Sequence, residues 1–186
     1  MSKKKIVIDS VRKFADTIHN KPCQCLHVAH YTAEALYHAG YSPMIQAGSL
    51  QWPRIKPEED DGIRDTHFSY IWSPYTEASV RSVENGHLPE MHVWVFMMEK
   101  LGKGKYGYSL VDFSTKYLKA AAKLMNLDWS AEDPPDYLWT LEKDMPPRTV
   151  YTANKEATEF ACELLWDLYE PDYLQSYKQI SDLLTR

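Results

Sequence analysis

The sequence predicts a single-domain α+β protein, and three observations support this. Residues near the amino terminus have helical periodicity, a central group of runs has the composition of β-strands, and the last third returns to helical periodicity. A chain of 186 residues is long enough to bury one hydrophobic core but too short for two independent domains.

Two helices are predicted before the first strand. Apolar residues recur at helical spacing over residues 6–18, and this helix ends near Asn20 and Pro22. In residues 25–39 the apolar positions follow the pattern i, i+3, i+7, i+10 and i+11, which is typical of an amphipathic helix. Gly40 comes directly after this helix, where a left-handed cap favours glycine.

Strands are predicted over residues 43–52 and 67–72, where aromatic and β-branched residues gather. A charged, proline-containing stretch, residues 53–65, forms the loop between them. A polar connection over residues 73–89 follows the second strand.

A hairpin is predicted next, from residues 91–98 and 106–113. These two strand-like runs flank seven residues that include Gly102 and Gly104. The first run is apolar on both faces, which is typical of a central strand that is covered on both sides.

The last third is predicted to be mainly helical, with helices near residues 117–127, 153–169 and 172–184. A proline-rich interruption over residues 134–147 separates the first two of these helices. No internal repeat and no low-complexity segment occurs in the sequence.

The composition is that of a globular protein and argues against several partners. The formal charge is -5, and no stripe of Lys and Arg suited to nucleic acid occurs. No run reaches the roughly 18 apolar residues of a membrane span, and the first ten residues lack the apolar stretch of a secretory signal. We therefore expect a cytoplasmic protein that binds neither nucleic acid nor membrane, with its three cysteines reduced.

Cys25 is the candidate nucleophile. It begins the second helix on the same face as Ala29 and Leu36, whereas Cys23 precedes the helix. The partial positive charge and free N–H groups of a first helical turn favour the reactive thiolate, and the same N–H groups can receive an oxyanion. The alternative is a small apolar side chain that only packs.

His92 and Asp112 are the candidate base and the candidate carboxylate that orients it. If the hairpin pairs about Gly102, Met98 faces Tyr106 and His92 falls directly opposite Asp112. Cross-strand neighbours have Cβ atoms about 4.5–5.5 Å apart, so the carboxylate can hold one imidazole nitrogen. Two alternatives stay open, namely that His92 is an ordinary core residue and that Asp112 caps the helix that follows it.

Other histidines and the tryptophans suggest further roles. His67 and His87 are alternative bases, but neither has an opposed carboxylate. Trp52 and Trp94 are candidates for the wall of an aromatic, substrate-binding cleft, in addition to the ordinary role of tryptophan in a core.

A metal site is not predicted. Cys23, Cys25, His27 and His30 are close in the sequence, but the paired Cys and His spacing of a structural zinc site is absent. We therefore expect no metal and no cofactor.

These segments resemble the transglutaminase-like branch of the papain-like cysteine enzymes. Residues 25–40 have the family's spacing between a cysteine at a helix start and a glycine at its end. The run His-Val-Trp-Val at residues 92–95 is similar to the family's His-Ala-Trp-Val, and Asp-Phe-Ser-Thr at residues 112–115 is similar to its Asp-Pro-Thr. The resemblance covers a core over residues 22–115, and residues 116–186 form a helical extension outside it.

The resemblance implies that the cysteine helix packs on an antiparallel sheet that carries the other two residues. It also implies amide or ester chemistry through a thioester, in which Cys25 attacks an acyl carbon, His92 transfers the proton and Asp112 steadies the imidazole. The chain departs from the family by its long connection over residues 53–89 and by Phe113 in place of proline. No clear upstream donor to the oxyanion is present, and the candidates are His19, Asn20 and Gln24.

Three functions agree with these features. The first is hydrolysis of an amide bond in a peptide or protein substrate. The second is transfer of the acyl group to an amine, and the third is a binding module that keeps the fold without catalysis. A reactive thiol at Cys25 distinguishes the first two from the third, whereas the identity of the substrate and the oligomeric state have no readable sequence pattern.

Overall fold

A computed structural model describes residues 2–18, 24–63, 65–72 and 90–167, with side chains as far as residue 164. Within these ranges the architecture is α+β. Four α-helices occur in them: α1 Lys3–Thr17, α2 Gln24–His38, α3 Leu118–Leu124 and α4 Lys155–Asp167. Short 3₁₀ helices occupy Pro57–Glu59, Thr115–Tyr117 and Glu142–Asp144.

The described strands form one antiparallel sheet. They are β1 Pro43–Pro53, β2 His67–Tyr70, β3 His92–Gly102, β4 Lys105–Asp112, β5 Leu138–Leu141 and β6 Val150–Ala153. Their order is β2-β1-β3-β4-β5, and β6 also pairs with β1. Leu50 and Gln51 of β1 pair with both β2 and β6, so those two strands flank β1 on opposite edges.

The two predicted helices at the start of the chain are confirmed within a few residues. Tyr41 N–H donates to the Leu36 carbonyl at 3.0 Å and Gly40 N–H donates to the Tyr37 carbonyl at 2.9 Å, which is the Schellman pattern of a helix end. Gly40 has a φ of 87°, a left-handed conformation that glycine adopts without a Cβ penalty. The predicted cap is therefore present.

The predicted hairpin exists, but its register is shifted by two residues. Met98 pairs with Tyr108 rather than with Tyr106. The reason is the turn, because Lys103 and Gly104 have φ values of 46° and 75°, as a two-residue hairpin turn requires, and the strands extend up to it. The turn alone would shift the register by three residues, and a bulge between residues 100 and 102 reduces the shift to two.

A shift of two residues leaves each side chain on the same face of the sheet, because strand side chains alternate with a period of two. Val95 pairs with Val111, so the next position of the same register places Trp94 opposite Asp112. His92 is therefore a diagonal neighbour of Asp112, still within reach of its side chain.

The predicted helical extension after residue 115 contains helices α3 and α4, but it also contains two strands that were not predicted, β5 and β6, and both belong to the sheet. These strands have only four residues each, and β5 lies inside the proline-rich interruption, where no regular structure was predicted. Asn154 accepts the Ala157 N–H through its side chain at 3.0 Å and so caps α4, which begins two residues later than predicted. The connection over residues 73–89 and the final helix over residues 172–184 lie outside the described residues.

Both faces of the sheet are buried, each by a different cluster. One face packs against α1, α2 and α4 through residues such as Val93 and Val95 of β3. The opposite face carries an aromatic-rich cluster that includes Trp52, Phe68 and Trp94 and is covered in part by α3. The prediction that β3 is a central strand covered on both sides is confirmed.

Among the described helices, none has the length and apolar character needed to cross a lipid bilayer. The location of the protein in the cell stays a prediction.

Candidate active site

The three candidate residues lie where the helix layer meets one end of two central strands. His92 is the first residue of β3 and Asp112 is the last residue of β4. Cys25 lies in the first turn of α2, which packs against the face of the sheet that carries Val93. Its sulfur is 4.0 Å from the carbonyl oxygen of Met91, the residue just before β3.

His92 and Asp112 form a buried pair. Nε2 of His92 donates to Oδ2 of Asp112 at 2.6 Å, and both side chains are 1% exposed. Hydrogen bonds between charged partners are shorter than neutral ones, and this short bond agrees with a charged pair. The contact that the sequence predicts between these residues is therefore present, although it is diagonal rather than directly opposed.

Asp112 accepts four hydrogen bonds from the described residues, two on each carboxylate oxygen. Oδ1 accepts the Ser114 backbone N–H at 2.8 Å and the Ser114 hydroxyl at 2.6 Å. Oδ2 accepts the Tyr151 hydroxyl at 2.8 Å in addition to the His92 ring. The sequence left open whether Asp112 caps the segment that follows it or contacts His92. It does both, because Oδ1 bonds Ser114 and Oδ2 bonds His92.

The pair is held in its charged form. Burial opposes charge on His92, but the Asp112 carboxylate beside it raises the pKa of His92 above its ordinary value. Burial likewise opposes charge on Asp112, but the charge of His92 and the hydrogen bonds from His92 and Ser114 outweigh it, so the pKa of Asp112 is lowered. Both directions correspond to an imidazolium that faces a carboxylate.

Cys25 is half-buried and lies next to this pair. Cys25 raises the pKa of His92 further, both through a hydrogen bond with the ring and through the charge of its sulfur. The thiol and the ring are therefore close. However, Nδ1 of His92 is buried and has no partner in full hydrogen-bond geometry among the described residues. Nδ1 is the one ring nitrogen still open to the thiol, because Asp112 occupies Nε2.

Two aromatic rings stack with the imidazole. Trp94 lies two residues after His92 on β3, and Tyr70 pairs with Leu50 of β1, two residues after the Gly48 that pairs with His92. Its ring stacks with Tyr70 at 5.5 Å and with Trp94 at 6.2 Å between centroids. Burial, followed by the nearby charges of Cys25 and Asp112, raises the pKa of Tyr70, so its phenol stays protonated beside both residues.

Of the three candidate donors to an oxyanion, only Gln24 lies within the described residues. Its Nε2 atom is buried and has no partner in hydrogen-bond geometry within the described part of the chain. The Gln24 side chain also lies close to Tyr117. Burial raises the pKa of the Tyr117 phenol, and the nearby Gln24 side chain offsets a part of that rise. His19 and Asn20 lie outside the described residues, as does His87.

Trp52 and Trp94 are almost fully buried, with exposures of 4% and 2%. Trp52 borders a cavity of about 430 Å³ on the side of the sheet away from α2. Trp94 and Tyr151 border a second cavity, of about 410 Å³. Cys25 lines neither of these cavities, so the substrate-binding role of the two tryptophans stays a prediction.

Three residues that contact the pair were not among the sequence-based candidates: Ser114, Tyr70 and Tyr151. Ser114 had a local signal, because an Asp followed two residues later by Ser is typical of an Asx turn. Tyr151 lies in the run Val-Tyr-Thr after two prolines, which has strand-like composition. Nothing in the sequence indicates that this run pairs with β1.

No group of three or more His, Cys, Asp or Glu side chains placed to hold a metal ion occurs in the part of the chain that the structure describes. Cys23 is outside that part. The alternative base His67 is engaged elsewhere, because its Nε2 is 3.1 Å from the Arg148 carbonyl oxygen and its Nδ1 is 3.2 Å from the Thr66 hydroxyl.

Comparisons of this chain with protein-family models, with curated proteins and with solved structures each found no match.

Proposed function

We propose that this chain is a cysteine-dependent enzyme of the transglutaminase-like, papain-like type that hydrolyses an amide bond in a peptide or protein. The observation that carries the proposal is the buried 2.6 Å hydrogen bond between Nε2 of His92 and Oδ2 of Asp112, with the Cys25 thiol beside the same ring. A carboxylate that fixes one imidazole nitrogen leaves the other available to a nucleophile. The sequence resemblance supports the same assignment.

In the proposed reaction the Cys25 thiolate attacks the carbonyl carbon of the substrate, and a C–S bond forms. The His92 imidazolium donates its proton to the leaving nitrogen as the C–N bond breaks, which leaves a thioester on Cys25. Water then attacks the thioester while His92 accepts its proton, and the carboxylic acid product leaves as the thiol is restored. Asp112 stays ionised throughout and stabilises the imidazolium.

Thiol labelling tests this proposal. With a limiting amount of iodoacetamide at neutral pH, we expect Cys25 to react before Cys23 and Cys162, as measured by peptide mass spectrometry. Burial raises the pKa of Cys162, which keeps that thiol protonated and slow. We expect His92→Ala to slow labelling of Cys25 by at least about tenfold, because the imidazolium that stabilises the thiolate is lost.

His67→Gln is the matched control, because His67 lies on β2 of the same sheet but its ring contacts Arg148 and Thr66. Labelling of Cys25 should be unchanged in this variant. Equal labelling of all three cysteines, or a Cys25 rate that does not depend on His92, would contradict the proposal and favour a binding module.

An activated ester separates hydrolysis from acyl transfer. After mixing with p-nitrophenyl acetate, intact-mass measurement should detect one acetyl group on the wild-type chain and none on Cys25→Ala. If the acetyl group on the wild-type chain is lost in water alone, the enzyme hydrolyses the thioester. If an added primary amine speeds this loss and the amide product appears, the enzyme transfers the acyl group. An acetyl group retained equally by Cys25→Ala would contradict thioester chemistry at this residue.

A further inference from the structure

Tyr151 contacts the buried pair from β6, a strand outside the residues 22–115 that resemble the cysteine enzymes. Its hydroxyl donates to Oδ2 of Asp112 at 2.8 Å. The same oxygen accepts Nε2 of His92 at 2.6 Å. Two donors from two different strands, 59 positions apart in the sequence (151 minus 92), therefore share one carboxylate oxygen.

We propose that Tyr151 is a positioning residue for the proposed cysteine chemistry: its hydroxyl fixes Oδ2 of Asp112 and stabilises the negative charge that orients His92. This inference rests on the proposed function. Tyr151 acts through Asp112 and has no assigned contact with the substrate.

The packing around Tyr151 does not require its hydroxyl. The ring lies edge-on to Trp94 at 5.1 Å and at 5.8 Å from the His92 ring, contacts that phenylalanine would also make. The oxygen is the only polar atom of this side chain, and among the described residues it hydrogen-bonds to the carboxylate alone. What distinguishes tyrosine from phenylalanine at this position is therefore the bond to Asp112.

The backbone brings Tyr151 to this place through a close approach of two strands. Tyr151 pairs with Leu50 of β1, and Ala153 pairs with Gly48. A Cβ atom on residue 48 would lie 2.1 Å from the Thr152 carbonyl oxygen, so only glycine allows β6 to approach β1 this closely. Gly48 thus contributes to the position of the Tyr151 hydroxyl.

The chemistry of the contact also favours this role. A hydrogen bond to a carboxylate stabilises its charged form, and it is stronger in a buried site than in water. Burial and the Asp112 charge raise the pKa of Tyr151 well above its ordinary value, so the phenol keeps its proton and remains a donor across the neutral range. With Tyr151 removed, His92 would be the one described residue that still donates to Oδ2.

The test compares Tyr151→Phe with the wild-type chain. We expect Cys25 to react with iodoacetamide about tenfold more slowly, the scale expected for loss of one hydrogen bond to a charged group. We also expect the Asp112 carboxyl to titrate at a higher pH, followed by ¹³C NMR of its Cγ atom and assigned with Asp112→Asn. Tyr108→Phe is the control, because Tyr108 is half-exposed and stacks on Phe96; neither readout should change.

A second variant strengthens the donor instead of removing it. Site-specific 3-fluorotyrosine at position 151 keeps the packing and makes the phenol a better donor, so Asp112 should titrate at a lower pH. An Asp112 titration that is the same in the wild type, Tyr151→Phe and the fluorinated chain would overturn the inference. A slower Cys25 reaction without any shift in titration would overturn it as well, because that outcome indicates packing alone.

Failure of the proposed function gives a different result. In that case wild-type Cys25 is no more reactive than Cys25 in His92→Ala, while the carboxyl titration still reports on Tyr151. If Cys25 is reactive in the wild type and equally reactive in Tyr151→Phe, only the inference about Tyr151 fails.

Discussion

His92 and Asp112 illustrate at the scale of single residues how a buried charged pair is held. Both oxygens of the Asp112 carboxylate accept hydrogen bonds: Oδ1 accepts two from Ser114, and Oδ2 accepts one each from Tyr151 and the His92 imidazole. The aromatic rings of Tyr70 and Trp94 stack with the imidazole, and the His92 side chain is 1% exposed. Such a pair costs desolvation energy when it forms, but removal of one partner leaves the other charge buried and unpaired.

Removal of the carboxylate charge should therefore destabilise the fold. We expect Asp112→Asn to lower the free energy of unfolding by about 3–5 kcal/mol, the range for breaking a buried ion pair. Urea unfolding at pH 6 measures this. Asp133→Asn is the control, because the Lys119–Asp133 ion pair is 48% and 70% exposed and surface pairs contribute at most about 1 kcal/mol. If both variants lost a similar free energy of unfolding, burial would not be what makes the His92–Asp112 pair matter more than a surface pair.

At the scale of elements, β6 is the strand that completes the site. It pairs with β1 opposite β2 and brings Tyr151 to Asp112 across Gly48. The prediction from sequence contained neither β5 nor β6, because four-residue runs beside prolines have too little periodicity to stand out. Their strand structure comes from pairing with neighbours that are distant in sequence.

Gly48→Ala should disturb this pairing. The added Cβ would lie 2.1 Å from a backbone oxygen that cannot move alone, so β6 must shift, and we expect a loss of about 1–3 kcal/mol in the free energy of unfolding. Hydrogen exchange should increase at the β6 amides. Gly107→Ala on β4 is the control, because the nearest atoms there are the ends of the flexible Leu101 and Leu141 side chains. Unchanged exchange in β6 would show that the close approach is not needed.

At the scale of the whole molecule, the buried pair links folding stability to pH. The pKa of Asp112 is lowered by folding, so its contribution is present above the unfolded value of about 3.9 and is lost as pH falls through the lower folded value. The pKa of His92 is raised to about 10, so its contribution is complete below the unfolded value of about 6.5 and is lost as pH rises toward 10.

We therefore expect the stability difference between the wild type and Asp112→Asn to be largest between about pH 4 and 6.5 and to decline from there to about pH 10. Urea unfolding of both chains across this range measures the difference. A difference that is constant from pH 6 to pH 10 would show that His92 carries no charge in the folded state.

The sequence by itself determined the local elements of this protein. Periodicity and capping gave α1, α2 with its Gly40 cap and the central apolar strand, because these features depend on residues within a few positions of one another. The alternation of side chains along a strand also placed His92 and Asp112 on the same face of the sheet. A register error of two residues does not change that face.

Only the tertiary structure decided the pairing of the hairpin, the addition of β5 and β6 to the sheet, and the contact between Tyr151 and Asp112, which are 39 residues apart. Whether such distant groups meet depends on the turn geometry at Lys103 and Gly104 and on the close approach that Gly48 permits. These are properties of the assembled sheet, in which strands pair with partners far away in the chain. No local pattern of residues carries that information.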